Sequence, residues 1–502
     1  MPTAHGQRAW RPGFHYTPAR NWMNDPNGLF FLNGVYHLYY QYNPSGSQWG
    51  NMSWGHAVSR DLRNWTEQDV ALPFTPERMV FSGTVVVDCS NVAGFAEAGF
   101  SVPPVLAFYT AFDPVSSIQS QHLAYSLDGG YCFTDYSGNP VLDIGSSEFR
   151  DPKVFWHAPS GRWVMLVVAA LQQQVWFYTS RDLKQWNKVS SFGPAGSAKG
   201  NIWEVPELFE LPVDGDPSRT RWVLIVSVNR GSLWGGSGVQ YFTGQFDGER
   251  FVADASGLPA DASGPDAAVW ADHGRDFYAP ITFANLPDGR CVWMGWINNW
   301  EYAGEVPTDP WRGQMSVPRE LDLVSTRHGL RLRQRPAREL REWAEQAALV
   351  FDGQGTSQEL AARLTDARLG GQALHISLRV PLKELRGEFG LRVFETSTSC
   401  VTLGFDAGAQ IFFTDRRSAE SRLQAGQERH TAARVFDDPM LTLEVWTDGC
   451  VLEVYCDGGS VVFTDMVFMP AACNGVSLVC SACKPQSLAL QIRNLTPTMP
   501  SR

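Results

Sequence analysis

Ser59-Arg60-Asp61-Leu62-Arg63-Asn64-Trp65 returns almost verbatim as Ser180-Arg181-Asp182-Leu183-Lys184-Gln185-Trp186. Looser copies of the scheme are Tyr125-Ser126-Leu127-Asp128-Gly129-Gly130-Tyr131 and Gly244-Gln245-Phe246-Asp247-Gly248-Glu249-Arg250-Phe251. Each follows a strand-like run, turns at an Asp and closes on an aromatic able to cap an apolar layer. Between the copies lie apolar runs at 34–42, 105–111, 163–170, 221–228 and 291–298. Each is preceded by a shorter strand and a tight turn such as Leu32-Asn33-Gly34-Val35. The shorter strands begin near Asp25, Ser82, Asp151, Glu204 and Asp276. Repeats of this spacing predict an all-β fold, a five-bladed β-propeller in preference to a single sandwich or barrel. In such a ring the innermost strands surround an axis, so groups at their starts face one funnel.

The texture changes at 334–345, where Arg335-Pro336-Ala337-Arg338-Glu339-Leu340-Arg341-Glu342 is short and charged. From Phe351 onward alternating strands resume, at 374–380, 390–395 and 441–446, with Asp457-Gly458-Gly459 as a hairpin turn. The expected organisation is a propeller over 1–335, a linker with a helical turn over 336–350, and a C-terminal β-sandwich over 351–502.

At 502 residues with 44% hydrophobic and 19% charged residues, the chain has the make-up of an ordinary globular protein with room for two domains. A net charge of −11 argues against nucleic acid as a partner. No run approaches the roughly 18 apolar residues of a membrane span. Residues 1–8 carry no apolar signal-peptide core, so the sequence as it stands predicts a cytoplasmic protein, with secretion through a separate leader as the alternative. Nine Cys are present, and Cys480 and Cys483 form a C-x-x-C inside a β-rich segment, where buried thiols are the expectation. No metal-ligand cluster or cofactor motif stands out.

Three segments carry chemistry: Trp22-Met23-Asn24-Asp25-Pro26-Asn27-Gly28, Phe149-Arg150-Asp151-Pro152 and Trp203-Glu204-Val205-Pro206-Glu207-Leu208. A single Asp-Pro is ordinarily a turn or a strand cap. Three acids at matching places in a repeat instead point to carboxylates converging on one pocket. Nineteen Trp supply rings that can stack on sugar faces, although many must be core. Glycoside cleavage uses one carboxylate as nucleophile or base and another as proton donor. Asp25, between Asn24 and Pro26, suits the nucleophile. Glu204 suits the acid, with Trp203, Val205 and Pro206 expected to desolvate it. Asp151 beside Arg150 suits a carboxylate that binds hydroxyls.

On these segments the chain resembles glycoside hydrolase family 32, the β-fructofuranosidases, over nearly its whole length. The Trp22–Gly28 box and Arg150-Asp151-Pro152 match the family pattern; Glu204-Val205-Pro206 departs, since the family usually has Cys where Val205 stands. Gln41-Tyr42-Asn43-Pro44, Phe81-Ser82-Gly83-Thr84 and Gly295-Trp296-Ile297-Asn298-Asn299-Trp300 also match. The resemblance implies a propeller followed by a β-sandwich, with Asp25 as nucleophile, Glu204 as acid/base and Asp151 as stabiliser. It also implies Trp22, Asn24, Gln41, Trp49, Phe81, Ser82, Arg150 and Tyr278 as substrate contacts, with Tyr278 hydrogen-bonding near Glu204 and with Trp300, in preference to Trp296 on the same strand face, lining the pocket. Trp54 and Trp293 are expected in the core, and His56 and His273 in local hydrogen bonds. Sucrose, fructo-oligosaccharides or fructans such as inulin and levan are the implied substrates, with no metal or cofactor required. The competing readings are an inverting furanosidase on a similar scaffold, a non-catalytic sugar-binding propeller, and a fructosyltransferase of the same family.

Overall fold

The repeated segments build the same Asp turn three times, and a one-residue-longer form of it once. Asp61 Oδ1 accepts the backbone N–H groups of Arg63 (3.1 Å) and Asn64 (2.7 Å), and Asp182 Oδ1 those of Lys184 (2.9 Å) and Gln185 (2.8 Å). Asp247 holds Glu249 and Arg250 in the same way, and Asp128 holds Tyr131 and Cys132, one residue further on. A short acceptor that bonds the backbone two and three residues on is what Asp supplies at a turn. Each turn joins the third strand of a sheet to its outermost fourth: Ser53–Ser59 to Trp65–Glu67, Gln119–Ser126 to Thr134–Asp135, Gln174–Ser180 to Asn187–Phe192, and Gly238–Phe246 to Phe251–Ala253.

The computed structural model describes residues 10–495 except 198–200, 257, 259–263, 368, 370–372, 422, 424–427 and 470–474. Residues 1–8 and Cys473 therefore lie outside the described residues. Three four-stranded antiparallel units are led by Asn21–Leu32, Met79–Val87 and Phe149–His157. A ten-stranded sheet contains Trp203–Val213 and Tyr278–Thr282. The sequence reading treats these last two as leaders of separate units. A parallel pairing of Val213 with Leu323 carries the hydrogen bonding from one to the other.

The five leading strands touch in a closed cycle: Asn21–Leu32 against Met79–Val87, then Phe149–His157, Trp203–Val213, Tyr278–Thr282, and back to Asn21–Leu32. Closure is completed by Trp311–Arg312, which pairs in parallel with Asn21 and Trp22.

Beyond Pro336 the helix Arg338–Gln346 occupies the expected linker. Two further sheets, of six and five strands, enclose an apolar core that includes Phe351, Leu378, Phe389, Phe405, Leu443 and Ile492. A second helix, Ser357–Thr365, is absent from the sequence reading. Its signal is a Thr356/Glu359 capping box, which satisfies two otherwise orphaned N–H groups. Trp54 and Trp293 are core, as expected. Cys480, by contrast, is exposed at the end of its strand rather than buried. Among the described residues, no helix is long and apolar enough to cross a membrane.

Candidate active site

Every leading strand breaks its pairing with the second strand near its start. The register skips between Met23 and Pro26, Val80 and Gly83, Arg150 and Lys153, Glu204 and Glu207, and Tyr278 and Ile281. A bulge leaves residues unpaired and re-aims the side chains around it. Asp25, Ser82 and Asp151 lie inside these irregularities, and Glu204 and Tyr278 at the edge of theirs. Asp151, Val205 and Ala279 adopt φ of 64°, 51° in the case of Ala279, and 45° in the case of Val205, the left-handed region. For β-branched Val205 that conformation costs on the order of 1–3 kcal/mol.

The bulges bring the three acids together. Asp25 is 7% exposed; its Oδ2 accepts from Ser82 Oγ (2.7 Å) and its Oδ1 from Asn24 Nδ2 (3.0 Å). Asn24 is held in turn by Trp22 Nε1 (2.7 Å). Asp151 Oδ2 accepts the backbone N–H of Val205 (2.8 Å), which ties the third strand to the fourth. Glu204 Oε1 lies 3.1 Å from Arg150 Nη2, and its Oε2 accepts from Asn229 Nδ2 (3.2 Å) and the Tyr278 hydroxyl.

Burial raises the Asp25 carboxyl to about 6; the Asn24 and Ser82 hydrogen bonds pull it down and the Glu204 charge pushes it up. Burial likewise lifts Asp151 to about 7, against the pull of Arg150 and with a further push from Glu204 and Asp25. The acids thus sense one another, as groups sharing one pocket must.

Sequence neighbours supply none of the hydrogen bonds that hold the Glu204 carboxyl. Trp203 is fully buried in a core with Leu208 and Val226, while Val205 packs with Trp22 and Tyr278. The groups that bond the carboxyl come from three other segments, which no local reading reaches.

The remaining expected residues fall around this centre. Trp300 is partly exposed and stacks on Trp22 at 6.0 Å; Trp296 is fully buried and packs against both. Of the two candidates for the pocket wall, Trp300 is therefore the one that reaches the surface. Its backbone N–H donates to Ser237 Oγ (3.1 Å), so the glycine-rich loop around Gly236 positions it. Trp49, exposed at 47%, meets Phe81, which stacks on Phe112 at 5.1 Å. Gln41 is buried and donates to the Val80 carbonyl (3.0 Å).

His56 bonds and stacks with His37. The His273 ring instead leaves Nδ1 without a hydrogen-bond partner. Missed from the sequence were Asn229, the donor to Glu204, and Thr110, whose Oγ1 accepts the Asp151 N–H (2.9 Å). Glu148 and Gln119, which hold Arg150, were missed as well. None of these sits in a recognisable motif; only Glu148, two residues before Arg150, is local.

The family described as "Glycosyl hydrolases family 32 N-terminal domain" matches residues 15–336, and "Glycosyl hydrolases family 32 C terminal" matches 341–493. A levanase of Bacillus subtilis is 38% identical over 93% of this chain and 68% of its own length. An extracellular exo-inulinase of Aspergillus ficuum is 36% identical over 97% and 95%, and invertase 2 of Saccharomyces cerevisiae 34% identical over 91% and 89%. The crystal structure of an exo-inulinase from Aspergillus awamori superposes with a TM-score of 0.88 at 33% identity, covering 96% of this chain and 98% of that one.

Proposed function

The chain belongs to glycosyl hydrolase family 32, and from that premise we propose that it releases terminal β-D-fructofuranosyl units from sucrose and fructans such as inulin and levan. It is a β-fructofuranosidase-type glycoside hydrolase. The observation that carries this reading is the meeting of Asp25, Asp151 and Glu204, from three separate strands, beneath an aromatic rim. Asp25 and Asp151 are buried, and Glu204 is partly exposed.

In the proposed mechanism Asp25 attacks the anomeric carbon as the glycosidic C–O bond breaks, and Glu204 gives its proton to the departing oxygen. Water then attacks the fructosyl ester, Glu204 takes the water's proton, and the Asp25 carboxylate leaves. Asp151 accepts hydroxyl hydrogen bonds from the furanose. Arg150 and Tyr278 hold the Glu204 carboxyl in reach of the leaving oxygen.

Transfer to a sugar acceptor shares the first half of this sequence, and no observation favours it. Relatives named as extracellular support action outside the cell, the secreted alternative. Fructose release from sucrose, inulin and levan, followed by chromatography, tests the activity. Proton NMR of the first product tests the double displacement: β-fructose is expected before mutarotation, and initial α-fructose would rule that route out.

A further inference from the structure

The ring of leading strands has a second mouth. Past the acids the same strands run on to wall a cavity of about 320 Å³, bounded by Lys153, Trp156, Trp163, Glu210, Trp222 and Asn285 among others. Phe155, also in this wall, is four residues beyond Asp151, which at ~3.3 Å per residue sets the cavity roughly 13 Å along the axis from the acids. The volume is that of a small-molecule site.

Of the nineteen tryptophans, Trp49 and Trp156 are the exposed ones, at 47% and 48%. Trp49 stands beside Phe81 at the catalytic mouth, and Trp156 at this opposite one. Trp156 is braced edge-on by Trp163 at 5.3 Å, so its ring is a fixed platform rather than a loose side chain. Trp163 is itself 8% exposed, so the brace is packed into the wall.

The charges select the ligand class. Lys153 Nζ lies 2.6 Å from Glu207 Oε1, and Thr282 Oγ1 also bonds Glu207, so the one ammonium in the wall is neutralised from behind. An anion therefore finds no free cation there. What remains is aromatic faces, with the second carboxylate oxygen of Glu210, whose Oε1 accepts from Thr220, and the amide oxygen of Asn285, whose Nδ2 donates to the Phe31 carbonyl, left for hydroxyl groups. We propose that this far mouth is a second saccharide-binding site, which seats one neutral sugar unit of a fructan on Trp156 and tethers the enzyme to the polymer it trims. The sugar's identity rests on the fructan reading above; the site itself does not.

The test is affinity electrophoresis through gels cast with inulin or levan, alongside kcat/KM on sucrose, for wild type, Trp156→Ala and Trp156→Phe. Loss of a stacking ring should weaken polymer affinity roughly three- to tenfold in Trp156→Ala. Trp156→Phe should keep most of it, and all three proteins should turn over sucrose alike. Equal mobility of the three in the polymer gels overturns the site, whether they are retarded or not. A matching fall in sucrose turnover for Trp156→Ala overturns it too, since the residue would then serve the fold. Failure of the wild type to release fructose is a separate result, and refutes the hydrolase reading alone.

Discussion

Asp25 is held by two donors, and each of them favours its charged form. If it is the nucleophile it must be ionised to react, so kcat/KM should fall as pH drops through about 6, the value to which burial raises it. Ser82→Ala removes one donor, the carboxyl rises, and the acidic limb should move to higher pH by roughly half a unit or more. A pH–rate profile on sucrose checks this; an unmoved limb would detach Ser82 from the reacting group. Asp25→Asn and Glu204→Gln should each cost at least about a thousandfold in kcat with the thermal unfolding temperature kept. Activity above a tenth of wild type in either variant would remove its role. Val205, the departure from the family pattern, touches the site twice: through its backbone N–H to Asp151, a bond that Val and Cys make equally, and through a side chain that packs with Trp22 and Tyr278.

At the scale of the element, the bulge is the working part of each leading strand. Gly83 shows how little room it leaves: a Cβ there would stand 2.0 Å from the Phe108 carbonyl oxygen in the neighbouring strand. Its N–H also donates to Asn27 Oδ1 (3.1 Å), stitching the first two leading strands together beside Asp25. Backbone cannot yield as a side-chain tip can, so Gly83→Ala should part the strands and turn Ser82 away from Asp25. The expected loss is about 3 kcal/mol or more of stability, by chemical denaturation, together with most of the activity. A stable, fully active Gly83→Ala protein would show that the bulge does not depend on this approach.

At the scale of the whole molecule, a buried ionic chain joins the ring to the sandwich. Arg319, fully buried, reaches Asp272 (3.1 Å) and Glu453 (3.3 Å), and His15 lies between Glu453 (3.5 Å) and Asp448 (2.9 Å). Burial alone would push the His15 imidazole down, but its bonds to Asp448 and Glu453 win and raise it to about 9. A histidine raised in the folded state contributes stability that is complete below its unfolded value near 6.5 and is lost as pH climbs through the folded one. Thermal stability should therefore decline between about pH 6.5 and 9, and His15→Gln should lower it at pH 6 and flatten that decline. A wild-type unfolding temperature that stays constant or rises over this window would contradict the linkage. Arg319→Ala strands two buried carboxylates and should cost about 3–5 kcal/mol, read by calorimetry.

What the sequence determined by itself was whatever a few adjacent residues can decide. Asp at the third position of a heptad makes its own turn by bonding the backbone just ahead, so the repeat Ser59–Trp65 and Ser180–Trp186 announced the strand pattern without help from distant residues. The motifs likewise placed Asp25, Asp151 and Glu204 at strand starts. Tertiary structure decided the rest: that Glu204 is held by Arg150 and Asn229 as well as by the expected Tyr278, that Trp296 is fully buried while Trp300 is partly exposed, and that Trp156 lines a cavity at the far end of the ring. Those contacts join residues dozens of positions apart. Side-chain alternation along a strand says which face a residue takes, but only closure of the ring says what stands opposite it.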